Sequence, residues 1–326
     1  MNSIDNKQKR GNLDLVIARL PGLNAREKGA LCRICETEED LAARPVSAII
    51  AEADKQFELD LGQINREQRA ANIDKARREA EHDRAVMEAR NIKSISIAES
   101  AYPPLLREIF DPPAVLFYKG ELCRKAPALA IVGTRKPCSS SSEFCYTIAR
   151  EIAGAGVSII SGLALGIDAM AHRGAVDSGG KTIAVLGSAV DYVHPASNKT
   201  LAARILERGG AIVSEYPPGT PPARWHFPAR NRIISGLSQA VLVACAPKKS
   251  GALITADFAL DQGRDLYAAV REDGSGYGEG CERLIMDGAK SIRSARDLFD
   301  EWKLSPPPLM PETTLAQALA RELGLS

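Results

Sequence analysis

Basic and aromatic side chains gather in two stretches of the chain that contain no acidic residue. No Asp or Glu lies between Glu121 and Glu143 or between Glu215 and Asp257. A single strand of nucleic acid requires cations for its phosphates and flat rings for its bases. The alternative is that these cations contact solvent or pair with acids distant in sequence. They are Arg124, Lys125, Arg135 and Lys136 in the first stretch, and Arg224, Arg230, Arg232, Lys248 and Lys249 in the second, which also holds Trp225, His226 and Phe227.

The segment FPARNRIISG, residues 227–236, places two of these cations at the start of an apolar run. Arg230 and Arg232 flank Asn231 in a proline-led turn, and Ile233 and Ile234 follow directly. An apolar pair explains packing in a core, but it does not explain two guanidinium groups at the entrance to that core. The segment is therefore a candidate for binding as well as for packing.

Six short apolar runs follow one another from residue 128 onward: ALAIVG, VSIISG, TIAVLG, AIVSEY, AVLVACA and DLYAAV. They are rich in β-branched residues, and helical stretches separate them. Strands that are apolar on both faces and alternate with helices predict a mostly parallel sheet that is covered on both sides. We therefore expect an α/β fold with a Rossmann-like domain, preceded by a small N-terminal helical domain.

Glycine ends three of these runs, at Gly133, Gly162 and Gly187, and the sequence KKSG at 248–251 follows a fourth. In a parallel sheet, ligands bind beyond the carboxyl ends of the strands. Glycine at that edge lets the next helix begin close to a ligand, where free N–H groups and the helix dipole attract an anion. Each turn alone also serves the fold, but four at one edge predict an anion site. Hydroxyl groups stand nearby at Thr134, Ser161, Ser188, Ser250 and Thr255.

Signatures of cofactor and metal chemistry are weak in this sequence. It contains neither GxGxxG nor GxxxxGK[ST]. Ser161, Asp168 and His172 suggest a hydrolase, but Asp168 and His172 lie four residues apart on one predicted helix and are expected to cap and orient the turn. Cys32 and Cys35 form the one CxxC, without a second pair to complete a zinc site. We therefore predict no catalytic residue, no metal and no cofactor.

Charges nearly cancel over the 326 residues, because 42 Lys and Arg stand against 41 Asp and Glu. Affinity for nucleic acid must therefore come from local patches. The composition, 45% apolar and 25% charged, is ordinary for a soluble globular protein. The polar start MNSIDNKQKRGN lacks an apolar signal segment, and no apolar run is long enough to span a bilayer. A cytoplasmic protein that does not bind membranes is expected.

Composition divides the chain into four predicted regions. Residues 1–62 are expected to form a helical domain of the helix-hairpin-helix or SAM-like type. Its LPGL turn either contacts a DNA phosphate or is simply the turn of a small bundle. Residues 63–100 are a charged helical connector with interleaved acids and bases. The Rossmann-like DNA-binding domain covers 101–300, and 301–326 are a proline linker and a short helix without a complete winged helix.

The order of seven motifs resembles that of the DNA-processing protein A (DprA/Smf) family over roughly residues 13–299. This resemblance implies an extended Rossmann fold that binds single-stranded DNA and commonly forms a homodimer. It also implies that the strand passes to RecA recombinase in natural transformation, without catalysis. The motifs are GTR at 133–135, SGLALGIDAMAH at 161–172, TIAVLG at 182–187, SEYPPG at 214–219, FPARNRIISGLS at 227–238, SGALITA at 250–256 and LIMDGA at 284–289.

The resemblance also implies which residues contact the strand. Arg230 and Arg232 would face phosphates, and Asn231 would tie the turn or touch the DNA. The family motifs supply Gly133, Arg135, Ser161, Gly162, Gly166, Asp168, Arg230, Asn231, Arg232, Ser250, Gly251 and Thr255. The glycine-edged strand ends and the acid-free stretches add Thr134, Lys136, Gly187, Lys248 and Lys249 to the predicted DNA-binding residues.

Three sites depart from the family's pattern. Leu165 stands where the family usually has arginine, so one phosphate contact is expected to be missing. Cys245 replaces a usual glutamate, and the pair Arg271–Glu272 replaces a usual Pro-Gly. These changes are expected to leave the fold intact and to bear more on RecA loading than on DNA binding.

Two other classes of function stay open at this point. Proteins resembling nucleotide phosphoribohydrolases share the Rossmann superfamily, but their PGGxGTxxE motif corresponds here to PKKSGALITAD, with Asp257 the one nearby acid. The third hypothesis is an interaction protein that senses a nucleotide or a DNA end for a separate partner, for instance in defence against foreign DNA.

Overall fold

The computed structural model describes residues 3–43, 45–57, 73–122, 127–270, 278–307 and 315–322. The chain forms two compact units. Unit 1 consists of Met1–Tyr118 with Ala189–Asp191 and Ser214–Thr220, and unit 2 consists of Lys119–Ser188, Tyr192–Val213 and Pro221–Ser326. Among the described helices, none combines the length and the apolar character that crossing a membrane requires.

Unit 1 begins with helices whose apolar residues recur at helical spacing. Leu13, Val16, Ile17 and Leu20 are all buried and share one face, as the period of 3.6 residues demands. Residues 63–72 of the predicted charged connector lie outside the described part of the chain. The helices are α1 Ser3–Arg19, α2 Ala25–Ile34, α3 Glu38–Ala43, α4 Val46–Phe57 and α5 Ile73–Ala89.

The proline pairs of unit 1 lie in a short α/β segment after these helices. Strand β1, Lys93–Ser96, pairs antiparallel with β2, Val115–Gly120. The single-turn helix α6, Pro104–Arg107, lies between them. Proline fits the first turn of a helix because its missing N–H would have no partner there. The segment is closed by the Tyr102 hydroxyl, which donates to the Pro113 carbonyl oxygen at 2.7 Å.

Among its described residues, unit 2 contains seven strands that pair in parallel, in the order β6-β5-β4-β3-β7-β8-β9. Their residues are almost all buried on both faces, which explains the continuous apolar runs of the sequence. The strands are β3 Ala128–Gly133, β4 Ser158–Ser161, β5 Thr182–Val185, β6 Ala211–Ser214, β7 Ala240–Cys245, β8 Asp265–Ala269 and β9 Lys290–Ile292.

Helices follow the strands of unit 2 and cover the sheet. Apolar residues of α7 and α8 pack against β3, β4 and β7 in one continuous buried cluster. The helices are α7 Ser139–Gly154, α8 Ile167–Asp177, α9 Lys199–Glu207, α10 His226–Gly236, α11 Gly251–Asp261, α12 Glu279–Met286, α13 Ala295–Trp302 and α14 Leu315–Glu322. A mostly parallel sheet between helices, after an N-terminal helical region, confirms the predicted fold class. The domain boundaries at 62, 100 and 300 stay predictions.

Candidate nucleic-acid interface

The strand order of unit 2 reverses between β3 and β7. From β3 the chain proceeds outward through β4, β5 and β6, and then returns to place β7 on the other side of β3. Helices that leave neighbouring strands in opposite directions open a crevice beyond the carboxyl ends of those strands. A cavity of about 690 Å³ lies there, which is within the usual size of a ligand site.

Two turns and two helix starts supply the wall of this cavity. They are the turn after β3, the start of α8, the start of α10, and the turn that leads from β7 into α11. The polar or charged side chains on the wall are Thr134, Arg135, Lys136, Asp168, Arg224, Arg230, Asn231, Lys249, Ser250 and Thr255, with Gly133, Phe227, Gly251 and Ile254 between them.

The turn after β3 directs two cations outward. The Thr134 N–H donates to the carbonyl oxygen of Cys245 at 2.8 Å, which ties the turn to the end of β7. The Thr134 hydroxyl oxygen accepts the Lys136 N–H at 3.2 Å. Both Arg135 and Lys136 are exposed. The guanidinium carbon of Arg135 lies 5.5 Å from the ring centre of Phe227, so this arginine stands over an aromatic wall.

Gly166 closes the loop between β4 and α8 in a conformation that favours glycine, with φ 76° and ψ −127°. A β-carbon at this position would lie 2.4 Å from the carbonyl oxygen of Thr134. That carbonyl accepts the Ile167 N–H at 3.1 Å. Close backbone contact therefore fixes the start of α8 against the turn that carries Arg135.

The carboxylate of Asp168 is bound to the backbone at the start of α8. It accepts the N–H groups of Gly162 at 3.1 Å and Ala164 at 3.4 Å. Burial raises the pKa of Asp168, while the guanidinium of Arg230 and the two backbone N–H groups oppose that rise. Among the described residues that line the cavity, Asp168 is the one acid. Its charge is therefore engaged within the wall.

Arg230 reaches the cavity wall, but its guanidinium points into backbone. The side chain is buried, with 4% of its surface exposed. Its Nη1 donates to the carbonyl oxygen of Gly162 at 2.6 Å and to the carbonyl oxygen of Val185. Arg230 therefore joins the ends of β4 and β5 to α10. Its placement is that of a residue that positions the wall.

Arg232 lies on the buried side of α10 and outside the cavity wall. Its Nη1 donates to the Ala229 carbonyl oxygen at 2.9 Å. The neighbouring Asn231 does line the cavity, and its Nδ2 donates to the Gly251 carbonyl oxygen at 3.3 Å. The three neighbouring residues of FPARNR thus have three different placements. Arg230 lies in the cavity wall, Asn231 connects α10 to α11, and Arg232 lies on the buried side of α10.

The turn into α11 places the start of that helix at the cavity. Ser250 is the N-cap residue, and its hydroxyl oxygen accepts the Ala252 N–H at 3.3 Å. Lys249 is exposed and lines the cavity, whereas Lys248 is exposed but does not line it. Unpaired N–H groups and the positive end of a helix dipole favour an anion at such a point.

The structure thus brings most of the predicted binding residues to one cavity and leaves the others outside its lining. Those that line it are Gly133, Thr134, Arg135, Lys136, Asp168, Arg230, Asn231, Lys249, Ser250, Gly251 and Thr255. Those that do not are Ser161, Gly162, Gly166, Gly187, Arg232 and Lys248. The Ser161 hydroxyl donates to the Ile131 carbonyl oxygen at 2.7 Å, and the Gly187 carbonyl lies 3.1 Å from His226 Nδ1.

Ile254 is a wall residue that the sequence predictions omitted. It lies three residues after Gly251 and one before Thr255, so the helical period places all three on one face of α11. Arg224 and Phe227 also line the cavity. They belong to the second acid-free stretch but were not among the predicted binding residues. Helical spacing from the KKSG turn is the signal that points to Ile254.

Two of the three sites that depart from the family's pattern lie among the described residues. Leu165 is exposed in the loop before α8. The Cys245 side chain is buried in the core cluster of unit 2, while its carbonyl holds the turn after β3. Arg271–Glu272 lies outside the described residues. Cys32 and Cys35 are both buried, and no cluster of His, Cys, Asp or Glu suited to a metal occurs among the described residues.

His172 is part of the support behind the cavity. It is fully buried on α8, and its Nδ1 lies 2.7 Å from the Thr182 hydroxyl oxygen. Burial, helped by the positive charges of Arg230 and Arg173, lowers the pKa of His172 to about 3. The imidazole is therefore neutral at physiological pH and joins α8 to β5.

Comparisons with known proteins agree with this architecture. The model of the DNA recombination-mediator protein A family matches residues 93–303. The chain is 43% identical to DNA processing protein DprA of Bacillus subtilis over 212 residues, which cover 64% of this chain and 71% of that protein. It is likewise 43% identical to DprA of Streptococcus pneumoniae over 213 residues, covering 64% of this chain and 74% of that protein.

Two solved structures are similar to much of this chain. The X-ray structure of DprA from Streptococcus pneumoniae superposes with a TM-score of 0.72 at 34% identity, covering 89% of this chain and 97% of that one. DprA from Helicobacter pylori, studied for its single-stranded DNA binding mode, gives a TM-score of 0.59 at 27% identity, covering 65% of this chain and 95% of that one. The family resemblance of the sequence is confirmed: the chain belongs to the DNA recombination-mediator protein A family, which includes the DprA proteins.

Proposed function

We propose that this protein binds single-stranded DNA in the cavity of unit 2. The observation that carries the proposal is the distribution of charge on the cavity wall. Arg135, Lys136, Arg224 and Lys249 are exposed around it, while the carboxylate of Asp168 is buried and bound to backbone N–H groups. Cations without competing acids attract a polyanion. Relatives of the chain include a protein studied for single-stranded DNA binding.

In this proposal, both backbone N–H groups and side chains contact the DNA strand. The start of α11 offers N–H groups to a phosphate beside Lys249, and Arg135 and Lys136 contact the neighbouring phosphates. Phe227 lies on the wall, and Trp225 is 74% exposed just before α10. Their rings provide faces on which bases stack, and stacking tolerates any sequence.

Arg230 in the wall and the buried predicted binding residues outside it act as positioning residues. Arg230 holds the carbonyls at the ends of two strands, and Gly166 allows the start of α8 to meet the turn that bears Arg135. Ser161, Gly162, Gly187 and Arg232 support the same frame. Lys248, exposed outside the cavity, contributes to the positive surface that the strand meets first.

The biological role that we propose is recombination mediation without a catalytic step. The bound strand passes to RecA recombinase, and a homodimer in the cytoplasm performs this transfer. The family's description as recombination mediators supports the transfer step. The absence of a Ser161–His172 pair is supported by their hydrogen bonds, because the Ser161 hydroxyl donates to the Ile131 carbonyl oxygen and His172 Nδ1 lies at the Thr182 hydroxyl. Incubation with nucleoside monophosphates should release no free base.

The decisive substitution is Arg135→Gln rather than a change at Arg230, because Arg135 is exposed on the wall and Arg230 supports the fold. Fluorescence anisotropy with labelled oligothymidylate, repeated over a series of salt concentrations, measures the affinity. Losing one phosphate contact should weaken binding and reduce the slope of log K against log salt by about 0.7. Arg208→Gln, an exposed arginine of unit 2 outside the cavity, is the matched control. Equal slopes for the two variants would count against the proposal.

A further inference from the structure

A second cavity, of about 290 Å³, lies within unit 1. Its volume is at the lower end of ligand sites, roughly 300–1,000 Å³. One wall is a face of α2, and the opposite wall is the segment that follows β1. The lining residues are Arg26, Gly29, Arg33, Ile97, Arg107, Glu108, Ile109, Phe110 and Pro112. None of them belongs to the DNA-binding residues predicted from the sequence.

The α2 wall results from helical spacing. Arg26, Gly29 and Arg33 stand at positions i, i+3 and i+7, so they share one face. Asn24 fixes the start of the helix through a capping box with Glu27. Gly29 is buried between the two arginines, and a β-carbon there would lie 3.8 Å from the Ile97 side chain. Two guanidinium groups therefore flank a small apolar floor.

The opposite wall adds a third guanidinium and an aromatic ring. Arg107 donates through Nη2 to the Glu99 carbonyl oxygen, and its Nε is buried without a hydrogen-bond acceptor among the described residues. The guanidinium carbon of Arg26 lies 4.1 Å above the ring centre of Phe110. Phe110 is nevertheless 78% exposed, so its other face is open to solvent.

Like charges are concentrated in this cavity. Burial lowers the pKa of Arg33, and the nearby positive charge of Arg107 lowers it further. Glu108 is the one acid among the described lining residues, and it is exposed. Bringing guanidinium groups together costs electrostatic free energy, which a bound anion offsets. The arrangement is therefore suited to an anion that accepts hydrogen bonds from several directions.

We propose that the unit 1 cavity binds a backbone phosphate of single-stranded nucleic acid, held by Arg26, Arg33 and Arg107, with a neighbouring base on the open face of Phe110. This inference rests on the proposed DNA-binding function and adds a second contact to it. A phosphate presents oxygens to several guanidinium groups at once. The exposed ring favours a nucleotide over an acidic peptide, because a base offers a flat face and a carboxylate side chain does not.

The test removes the two α2 charges together. In Arg26→Gln/Arg33→Gln, the full-length chain should bind long oligothymidylate several-fold more weakly, with a salt slope smaller by about 1.4 for two lost contacts. Arg78→Gln, an exposed arginine on α5 of the same unit, should leave both quantities unchanged. Phe110→Ala should weaken binding without changing the slope. Because Phe110 is exposed, that variant still tests the proposal where the double variant does not fold.

Comparison with Arg135→Gln separates this inference from the proposed function. If Arg135→Gln weakens binding but both unit 1 variants bind as the parent does, the second contact does not exist and the first survives. If the parent binds no single-stranded DNA, both proposals are wrong. Polyglutamate tests the other class of partner. Binding of polyglutamate to the parent but not to the double variant, with DNA binding unchanged, would overturn the inference in favour of an acidic protein segment.

Discussion

Arginine residues line both cavities, but different parts of the chain form the two walls. In unit 2, backbone turns at the ends of parallel strands form the wall, and Arg230 is enclosed by carbonyl groups. In unit 1, side chains on one helix face form the wall, and Arg26 lies over an exposed ring. A buried arginine enclosed by backbone carbonyl groups supports the fold, whereas a less buried arginine such as Arg26 can reach a ligand. The same residue type thus serves stability in one place and binding in another.

Replacing Arg230 should have the largest effect on stability. Arg230→Ala removes the partner of two carbonyl groups and leaves the buried carboxylate of Asp168 without its nearest positive charge. Breaking a buried interaction of this kind costs about 3–5 kcal/mol in the free energy of unfolding. Urea unfolding followed by circular dichroism measures it.

Arg135→Ala is the matched control, since it removes the same charge from an exposed position on the same cavity. It should change the free energy of unfolding by about 0.5 kcal/mol or less while weakening DNA binding. A loss of DNA binding in Arg230→Ala with stability unchanged would contradict this division of roles.

Glycine at the start of α8 should be the next most sensitive position. Gly166→Ala combines a positive φ with a β-carbon 2.4 Å from a backbone oxygen, so we expect a loss of about 3 kcal/mol. Gly179→Ala has the same φ of 76° but open space around the new β-carbon. It should cost about 1–2 kcal/mol, the strain of the left-handed conformation alone. Thermal unfolding of the two variants compares their losses of stability directly. Equal losses would show that the backbone at Thr134 moves away from the new β-carbon at little cost in free energy.

Acidification should change the stability contributions of His172 in unit 2 and Asp14 in unit 1 in opposite directions. Burial lowers the pKa of His172 in unit 2 from 6.5 to about 3, so the folded state binds fewer protons there and loses stability as the pH falls through this window. Burial raises the pKa of Asp14 in unit 1 from 3.8 to about 6, although Arg10 pairs with it. The folded state binds more protons at Asp14, so unit 1 gains stability as the pH falls below 6.

Between pH 7 and pH 5, these shifts correspond to about 2 kcal/mol lost at His172 and about 1 kcal/mol gained at Asp14. Amide hydrogen exchange, corrected for its intrinsic pH dependence, should show weaker protection in α8 and stronger protection in α1. His172→Gln and Asp14→Asn should each remove the contribution of the substituted group, while the raised pKa of Asp168 still acts in unit 2. A pH dependence that is the same in the parent and in both variants would refute the assignment to these two groups.

The sequence predicted the fold of unit 2 well because apolar runs and glycine turns are local signals. The sequence could not show that Arg230 is buried and Arg135 exposed, because exposure depends on contacts distant in sequence. The carbonyls that hold Arg230 belong to Gly162 and Val185, 68 and 45 residues away along the chain. The unit 1 cavity was missed for the same reason. Arg26 and Arg33 suggest a basic helix face, but only folding brings Arg107 opposite them.

The smallest effects should come from the caps of α2 and α11, and they sharpen the comparison between the two cavities. Asn24 accepts the Glu27 N–H at 2.9 Å, and Glu27 accepts the Asn24 N–H at 2.8 Å. Asn24→Ala should therefore cost about 1 kcal/mol in the free energy of unfolding. Ser250→Ala, at the cap of α11 in unit 2, should cost less, because Ser250 accepts a single bond of 3.3 Å without a reciprocal partner. Urea unfolding ranks the two variants.

If each cap also orients its cavity, Ser250→Ala should weaken binding of oligonucleotides of every length, whereas Asn24→Ala should weaken binding only of those long enough to reach Arg26.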